Sequence, residues 1–352
     1  MRQTQTQTQT PASIAKQPVQ QCKNVYYLNK GWLNLILKAA HECGLDIDNY
    51  LSKHEIEHIG VDVRKLRKVH EQMMKDSGKE DFSIIAAKHV NPLTFDSYSL
   101  MLWTAPDVNT LLQVSTRYAI SVGGSVHLNL SYNWRGDAEI WFVSRDPMNS
   151  ESAVSYVGMT LFMVVFMQIL YQTLGSDQLG LAAELVNWPY QAYSPEEFGA
   201  MINCKISVGS PVRKLIIPRR VLHRPLLTTN SEVYYAIRPV VIKRAATAME
   251  EDIVLQIYRW LDEHSSLANI DIKALASSFS VSVRTLNRRL AGAGTTYRYV
   301  SENYKLERAL HWLSVEGLSV TDVAYRLGFA DLSTFSRAFK RWTGRSPSHL
   351  SD

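Results

Sequence analysis

The chain has 352 residues, 46% hydrophobic and 20% charged, with a formal net charge of +5. That length exceeds what one core usually supports, so two domains are expected, and the composition is that of a soluble globular protein rather than a disordered or fibrous one. Three scattered cysteines, Cys22, Cys43 and Cys204, exclude a disulfide framework and fit a reducing cytoplasm.

The N-terminal "MRQTQTQTQTPASIAKQPVQQ" is polar and repetitive, has no apolar run to serve as a secretory signal, and reads as a disordered tail over 1–24. Residues 30–51 predict a helix with Leu33, Ile36, Leu37 and Ala40 on one face. "HEIEH", His54 to His58, matches the zinc-protease pattern H-E-x-x-H, in which Glu55 would be the base. Gly60 follows at once and no downstream ligand stands out, so no metal is assigned. His41 and Cys43, two residues apart, do not converge on a helix. Without a G-x-S-x-G or a usable phosphate loop, no catalytic residue is assigned and no cofactor is expected.

"SVHLNLSYNW" and "AEIWFVSRD" alternate apolar and polar residues around Arg135, Gly136 and Asp137, a hairpin pattern. No charge occurs between Glu151 and Asp177, and "VGMTLFMVVFMQIL", Val157 to Leu170, is long enough for a membrane span. Polar residues such as Thr160 and Gln168 interrupt it and no Lys/Arg cluster flanks it, so a buried core helix is expected. "KLIIPRRVLHRPL" adds short extended or turn segments broken by Pro218 and Pro225. Residues 25–238 therefore read as one α+β domain. A linker is expected over 239–249, after which "DIVLQIYRWLDEH" places Ile253, Ile257, Trp260 and Leu261 on one helical face and opens an all-α domain, 250–350.

Charge is unevenly shared. Asp271 to Leu350 contain twelve Lys/Arg against six Asp/Glu, a net +6, which leaves about −1 for the other 272 residues. A basic module on a near-neutral larger one points to a polyanionic partner.

Within that module one pattern occurs twice. "IKALASSFSVSVRTLNRRL" aligns with "VTDVAYRLGFADLSTFSRAF", pairing Leu286 with Phe335, Arg288 with Arg337 and Leu290 with Phe339. Two helix-turn-helix units follow, about 271–292 and 319–342, each with a small alanine where its helices cross. In the second, Ser319 with Asp322 forms a capping box, Gly328 ends the first helix, and Leu332, Phe335, Ala338 and Phe339 are expected inward. Ser333, Thr334, Ser336, Arg337 and Lys340 then face outward, as do Arg284, Thr285, Asn287 and Arg288 in the first unit. Arg and Asn can read guanine and adenine edges, and hydroxyls can hold phosphates. Arg341 and Arg345 are expected to position the DNA backbone. Either helix alone could be a solvated basic surface; repetition in matching register argues for nucleic acid.

Between the units, Leu306, Ala309, Leu310 and Leu313 mark one face of a helix of about 18 residues, ~27 Å long. A rod of that length can hold two recognition helices about one DNA turn, ~34 Å, apart.

At these residues the chain resembles the arabinose-regulator (AraC/XylS) family of bacterial transcription factors. "SVTDVAYRLGFADLSTFSRAFKRWTGRSP", Ser319 to Pro347, resembles the family's hallmark region, and "SVRTLNRRL" its first recognition helix. Lys305 departs from the pattern, which usually has arginine there. The first domain resembles the ligand-sensing domain of the ornithine-utilisation-regulator subgroup, through "SYSLMLWTAPDVNTLLQVSTRYA" and "FGAMINCKISVGSPVRKLIIPRRVLHRPL". The resemblance implies a cytoplasmic, non-enzymatic regulator of transcription, usually an activator, with promoter DNA, RNA polymerase and a small-molecule effector, often an amino acid or relative, as partners. It also implies a homodimer, although no coiled-coil heptad supports one. The ligand-binding residues are not assigned. The rival readings are an enzyme fused to a DNA-binding module, testable by metal analysis and hydrolase screening, and a membrane-tethered regulator, testable by carbonate washing of membranes.

Overall fold

The computed structural model describes residues 27–53, 56, 61–144, 154–264, 266–268, 270–314 and 316–350. The expected tail, 1–24, and four of the five residues of "HEIEH" lie outside them.

A two-residue pairing of β1 (Tyr27–Leu28) with β2 (Val61–Asp62) brackets α1 (Lys30–Glu42). The expected helix over 30–51 ends at Glu42 because Gly44 turns to φ +74; a single 3-10 turn, Ile47–Asn49, replaces its second half. Next come α2 (Val63–Ser77), α3 (Phe82–Lys88), α4 (Ser97–Trp103) and α5 (Val108–Tyr118). The predicted hairpin is β3 (Val126–Tyr132) and β4 (Ala138–Ser144), in register from Val126↔Ser144 to Tyr132↔Ala138 around Gly136.

The apolar stretch forms α6 (Tyr156–Leu174), and 78% of its most apolar window is buried inside the protein. It packs along α3 and carries Met163, Val164, Met167 and Leu170, all without exposure. An all-round apolar helix of that kind is a core helix, the outcome that its interrupting polar residues favoured. β5 (Leu181–Leu185), α7 (Pro195–Met201), β6 (Cys204–Val208) and β7 (Arg213–Ile217) complete the sheet, whose order is β3-β4-β7-β5-β6. All its pairings are antiparallel except β5 with β6, which α7 connects.

After a short α8 (Arg219–Leu222), α9 (Ser231–Glu251) runs through the residues expected as linker, with Pro239 inside it. Tyr234 and Val241 dock it on the first core. The second core gathers α10 (Ile253–Asp262), α11 (Ile272–Ser278), α12 (Val283–Gly292), α13 (Tyr297–Ser314), α14 (Val320–Arg326) and α15 (Leu332–Thr343), with no strand among the described residues beyond 250. The fold is thus α+β followed by all-α.

One face of the sheet belongs to each core. Along β4, Ile140 and Phe142 face the first, while Trp141, 5% exposed, is buried in the second beside Val143 and Val212. Two-sided burial explains why Ile140 to Val143 are four consecutive apolar residues.

Candidate nucleic-acid interface

In the first helix-turn-helix unit, Asp271 caps α11 by accepting from the amides of Lys273 (2.9 Å) and Ala274 (2.8 Å). Ser282 caps α12 through the Thr285 amide at 3.1 Å. Leu286 and Leu290 are fully buried, and Ala276 is buried where α11 meets α12. That packing leaves Arg284, Asn287, Arg288 and Arg289 exposed, with Thr285 half-buried and its hydroxyl 3.0 Å from that of Ser282.

The second unit repeats this construction. Ser319 Oγ accepts from the Asp322 amide at 3.1 Å; Asp322 answers to the Ser319 hydroxyl (2.6 Å) rather than to its amide, so half of the capping box forms. Gly328 adopts φ +75 directly after α14. Asp331 caps α15, accepting from the Thr334 amide at 2.7 Å and its hydroxyl at 2.9 Å. The amide bond and then the hydroxyl hold the Asp331 carboxyl below its usual pKa. Phe335 and Phe339 are fully buried, Ala338 nearly so, and Ala324 lies at the helix crossing.

Leu332, expected inward, is 42% exposed. It is the first residue of α15, next to the cap, where the helix has not yet met its neighbour. Ser333, Arg337, Lys340, Arg341 and Arg345 are exposed; Thr334 and Ser336 are half-buried. Thr334 already serves the cap, and Arg337 donates to its hydroxyl at 3.3 Å. Arg341 pairs with Glu302 at 2.9 Å. The Arg345 guanidinium lies against the Gly209 turn of the first domain. Among the described residues, Arg284, Arg288, Arg289 and Lys340 form no ion pair.

Helix α13 has the 18 residues expected of it, with Ala309, Leu310 and Leu313 buried and Leu306 half-buried. The Lys305 ammonium sits 4.9 Å from the centre of the Phe329 ring, and burial lowers its pKa. Tyr304 donates to Asp262 at 2.7 Å, Arg308 pairs with the same carboxylate, and burial, then that bond, pushes the Tyr304 phenol up to about 12.

The same rod touches the first domain. Asn129 donates to Glu307, which also accepts from Tyr258 at 2.9 Å, and His127 meets the Tyr258 ring edge-on at 5.6 Å. Between sheet and rod lies a cleft of about 340 Å³ with Arg259, Asp262, Glu307 and Arg308 on its wall. These contacts were not singled out from sequence; the unbroken apolar run around Trp141 was the available signal.

Residues 44–226, just over half the chain, match the model of the arabinose-binding domain of AraC transcription regulators, and residues 275–352 match a helix-turn-helix domain. The chain belongs to the AraC family of transcription regulators. It is a DNA-binding regulator with an N-terminal ligand-binding domain, and its relatives are regulators rather than enzymes. The ornithine utilization regulator of Pseudomonas aeruginosa is 23% identical over 274 residues, 77% of this chain and 78% of that one. The transcriptional activator RhaS of Salmonella schwarzengrund is 35% identical over 123 residues, 34% of this chain and 44% of the relative. Among solved structures, the regulator CdpR of Pseudomonas aeruginosa aligns over 91% of this chain and 98% of its own, with 18% identity and a TM-score of 0.44.

Proposed function

We propose that this AraC-family regulator activates transcription by laying α12 and α15 into successive major grooves of promoter DNA on one side of the duplex, under control of a small metabolite of amino-acid type bound by the first domain. The observation that carries the reading is the equivalence of the two units: each buries one aliphatic or aromatic pair and leaves an arginine, Arg288 or Arg337, exposed on its second helix. Arg284, Thr285, Asn287 and Arg288 form one reading surface, and Ser333, Thr334, Ser336, Arg337 and Lys340 the other, with Arg341 and Arg345 near the backbone.

The activator role follows the printed function of the RhaS relative, and the effector class that of the ornithine utilization regulator. Contact with RNA polymerase, dimerisation and a cytoplasmic location complete the proposal.

The test is a nuclease footprint on DNA around the protein's own gene, with and without a metabolite library. Replacing Arg288 or Arg337 by alanine should weaken binding by about 1–3 kcal/mol and relax preference at one base pair. Uniform weakening on every sequence would reduce both residues to phosphate contacts.

A further inference from the structure

Strand β7 contains an anomaly on its inward face. Leu215 and Ile217 point into the first core without exposure, and Arg213, in register with Phe142, takes the next position on that face at 4% exposure. Its Nε and Nη2 are buried and have no hydrogen-bond partner. Among the described residues no carboxylate acts on its charge; the groups that do are the Tyr156 and Tyr190 phenols. The next residue, Lys214, shows the usual solution on the opposite face, bridging Glu139 (3.1 Å) and Glu184 (3.4 Å). A buried guanidinium without a counter-charge is costly, and native proteins keep few such groups without a use for them.

Its surroundings add to the positive potential. The Tyr156 ring lies 5.5 Å from the Arg213 guanidinium carbon, and Tyr156 is the first residue of α6, whose first turn carries no acid. The positive end of a 19-residue helix therefore lies close to a cation, with no acid in the helix's first turn beside them. Tyr190, 5% exposed, has the Thr160 and Ser83 hydroxyls close enough to act on its phenol, yet neither the Tyr190 nor the Ser83 hydroxyl makes a hydrogen bond of ordinary geometry. Glu80 acts on Tyr190, but its carboxylate accepts from the backbone amides of Gln191 and Ala192, both at 2.7 Å. Burial lowers the Arg213 pKa to about 10, so the group stays charged at neutral pH.

We infer that Arg213, with the Tyr190 and Ser83 hydroxyls and the start of α6, is the binding site for the carboxylate of a small organic effector. Arginine offers two parallel N–H donors that match a carboxylate, and each hydroxyl can donate to a remaining lone pair. One cation balances one negative charge, whereas a phosphate dianion would leave net charge buried. The inference rests on the sensing role proposed above and adds to it a site and a chemical class.

The test uses the full-length protein in thermal unfolding with straight-chain carboxylates from acetate to octanoate, their α-amino and ω-amino derivatives, the matching amides, and inorganic phosphate at equal ionic strength. At least one carboxylate should raise the melting temperature by about 3–5 °C at saturation while its amide does not. Arg213→Met should melt at the same temperature or higher without ligand, because an uncompensated charge is gone, and should bind that carboxylate at least ~10-fold more weakly. Should Arg213→Met fail to fold, Arg213→Lys keeps the charge but loses the paired donors and should show the same weakening. A response to phosphate alone, no carboxylate that outperforms its amide, or a variant that responds like the parent would overturn the inference. Promoter binding by mobility shift separates the two readings: intact DNA binding without a carboxylate response defeats only the site assignment, and a folded parent that binds no DNA defeats the proposed function.

Discussion

Gly328 closes α14 at φ +75, and a Cβ added there would lie 2.5 Å from the carbonyl carbon and oxygen of Leu267 and 2.6 Å from the Ala268 nitrogen. These are backbone atoms, held by the bond from the Leu267 amide to the Arg326 carbonyl at 3.1 Å, so they cannot swing aside as a side chain would. Gly344, after α15, has nearly the same conformation at φ +76 but nothing within 4 Å of an added Cβ. Alanine at either position meets the left-handed penalty of roughly 1–2 kcal/mol. Only Gly328→Ala adds overpacking, typically about 1–3 kcal/mol. The expected losses are therefore ~2–5 kcal/mol for Gly328→Ala and ~1–2 kcal/mol for Gly344→Ala. Urea unfolding followed by circular dichroism measures both, with promoter mobility shifts alongside. Equal losses would refute the close docking of the 267–268 segment on the second unit, and a neutral Gly328→Ala would refute the left-handed cap as well.

Leu306→Pro should break α13 in its middle, at about 3 kcal/mol or more, and abolish promoter binding while the first core stays folded; an unchanged footprint length would contradict the two-groove geometry. Trp141→Ala should loosen the sheet from the helical domain by about 3–5 kcal/mol, read as faster proteolysis within α9; an unaltered cleavage rate would show that the contact is idle. His70 is buried, its Nε2 has no partner, and burial pushes its pKa down from 6.5 to about 4. Between those values the unfolded chain binds a proton that the folded chain refuses, so stability is full above pH 6.5 and is lost as pH falls toward 4. From pH 7 to 5 the parent should lose about 2 kcal/mol more than His70→Leu in urea unfolding, and parallel losses would exclude His70 as the source. Arg341→Ala should reduce the salt slope of DNA binding by about one counterion, and an unchanged slope would leave Arg341 only its bond to Glu302.

Nearly all of the helical module's fold is legible in the sequence. Its signals are local: caps at Ser282, Ser319 and Asp331 bond to amides two or three residues on, Gly328 needs one backbone conformation, and the spacing of Leu286 and Leu290 or Phe335 and Phe339 defines an inner face within one helix. Leu332 misled because periodicity marks a face but does not say how far along it the neighbour extends. Helix α1 is shorter than its apolar pattern, which continues past Gly44 although the backbone cannot.

Sequence by itself determined the two repeated units, the 18-residue rod between them, the β3–β4 hairpin and the outward arginines, since each depends on residues within a few positions of one another. Only the tertiary structure decided which strand face meets which core. It seats Trp141 under the helical module, joins Asn129 to Glu307 across 178 positions, and turns Arg213 inward beside Tyr156 and Tyr190. Alternation along a strand says that neighbours point opposite ways; what waits on either side is set by chain segments far away in sequence.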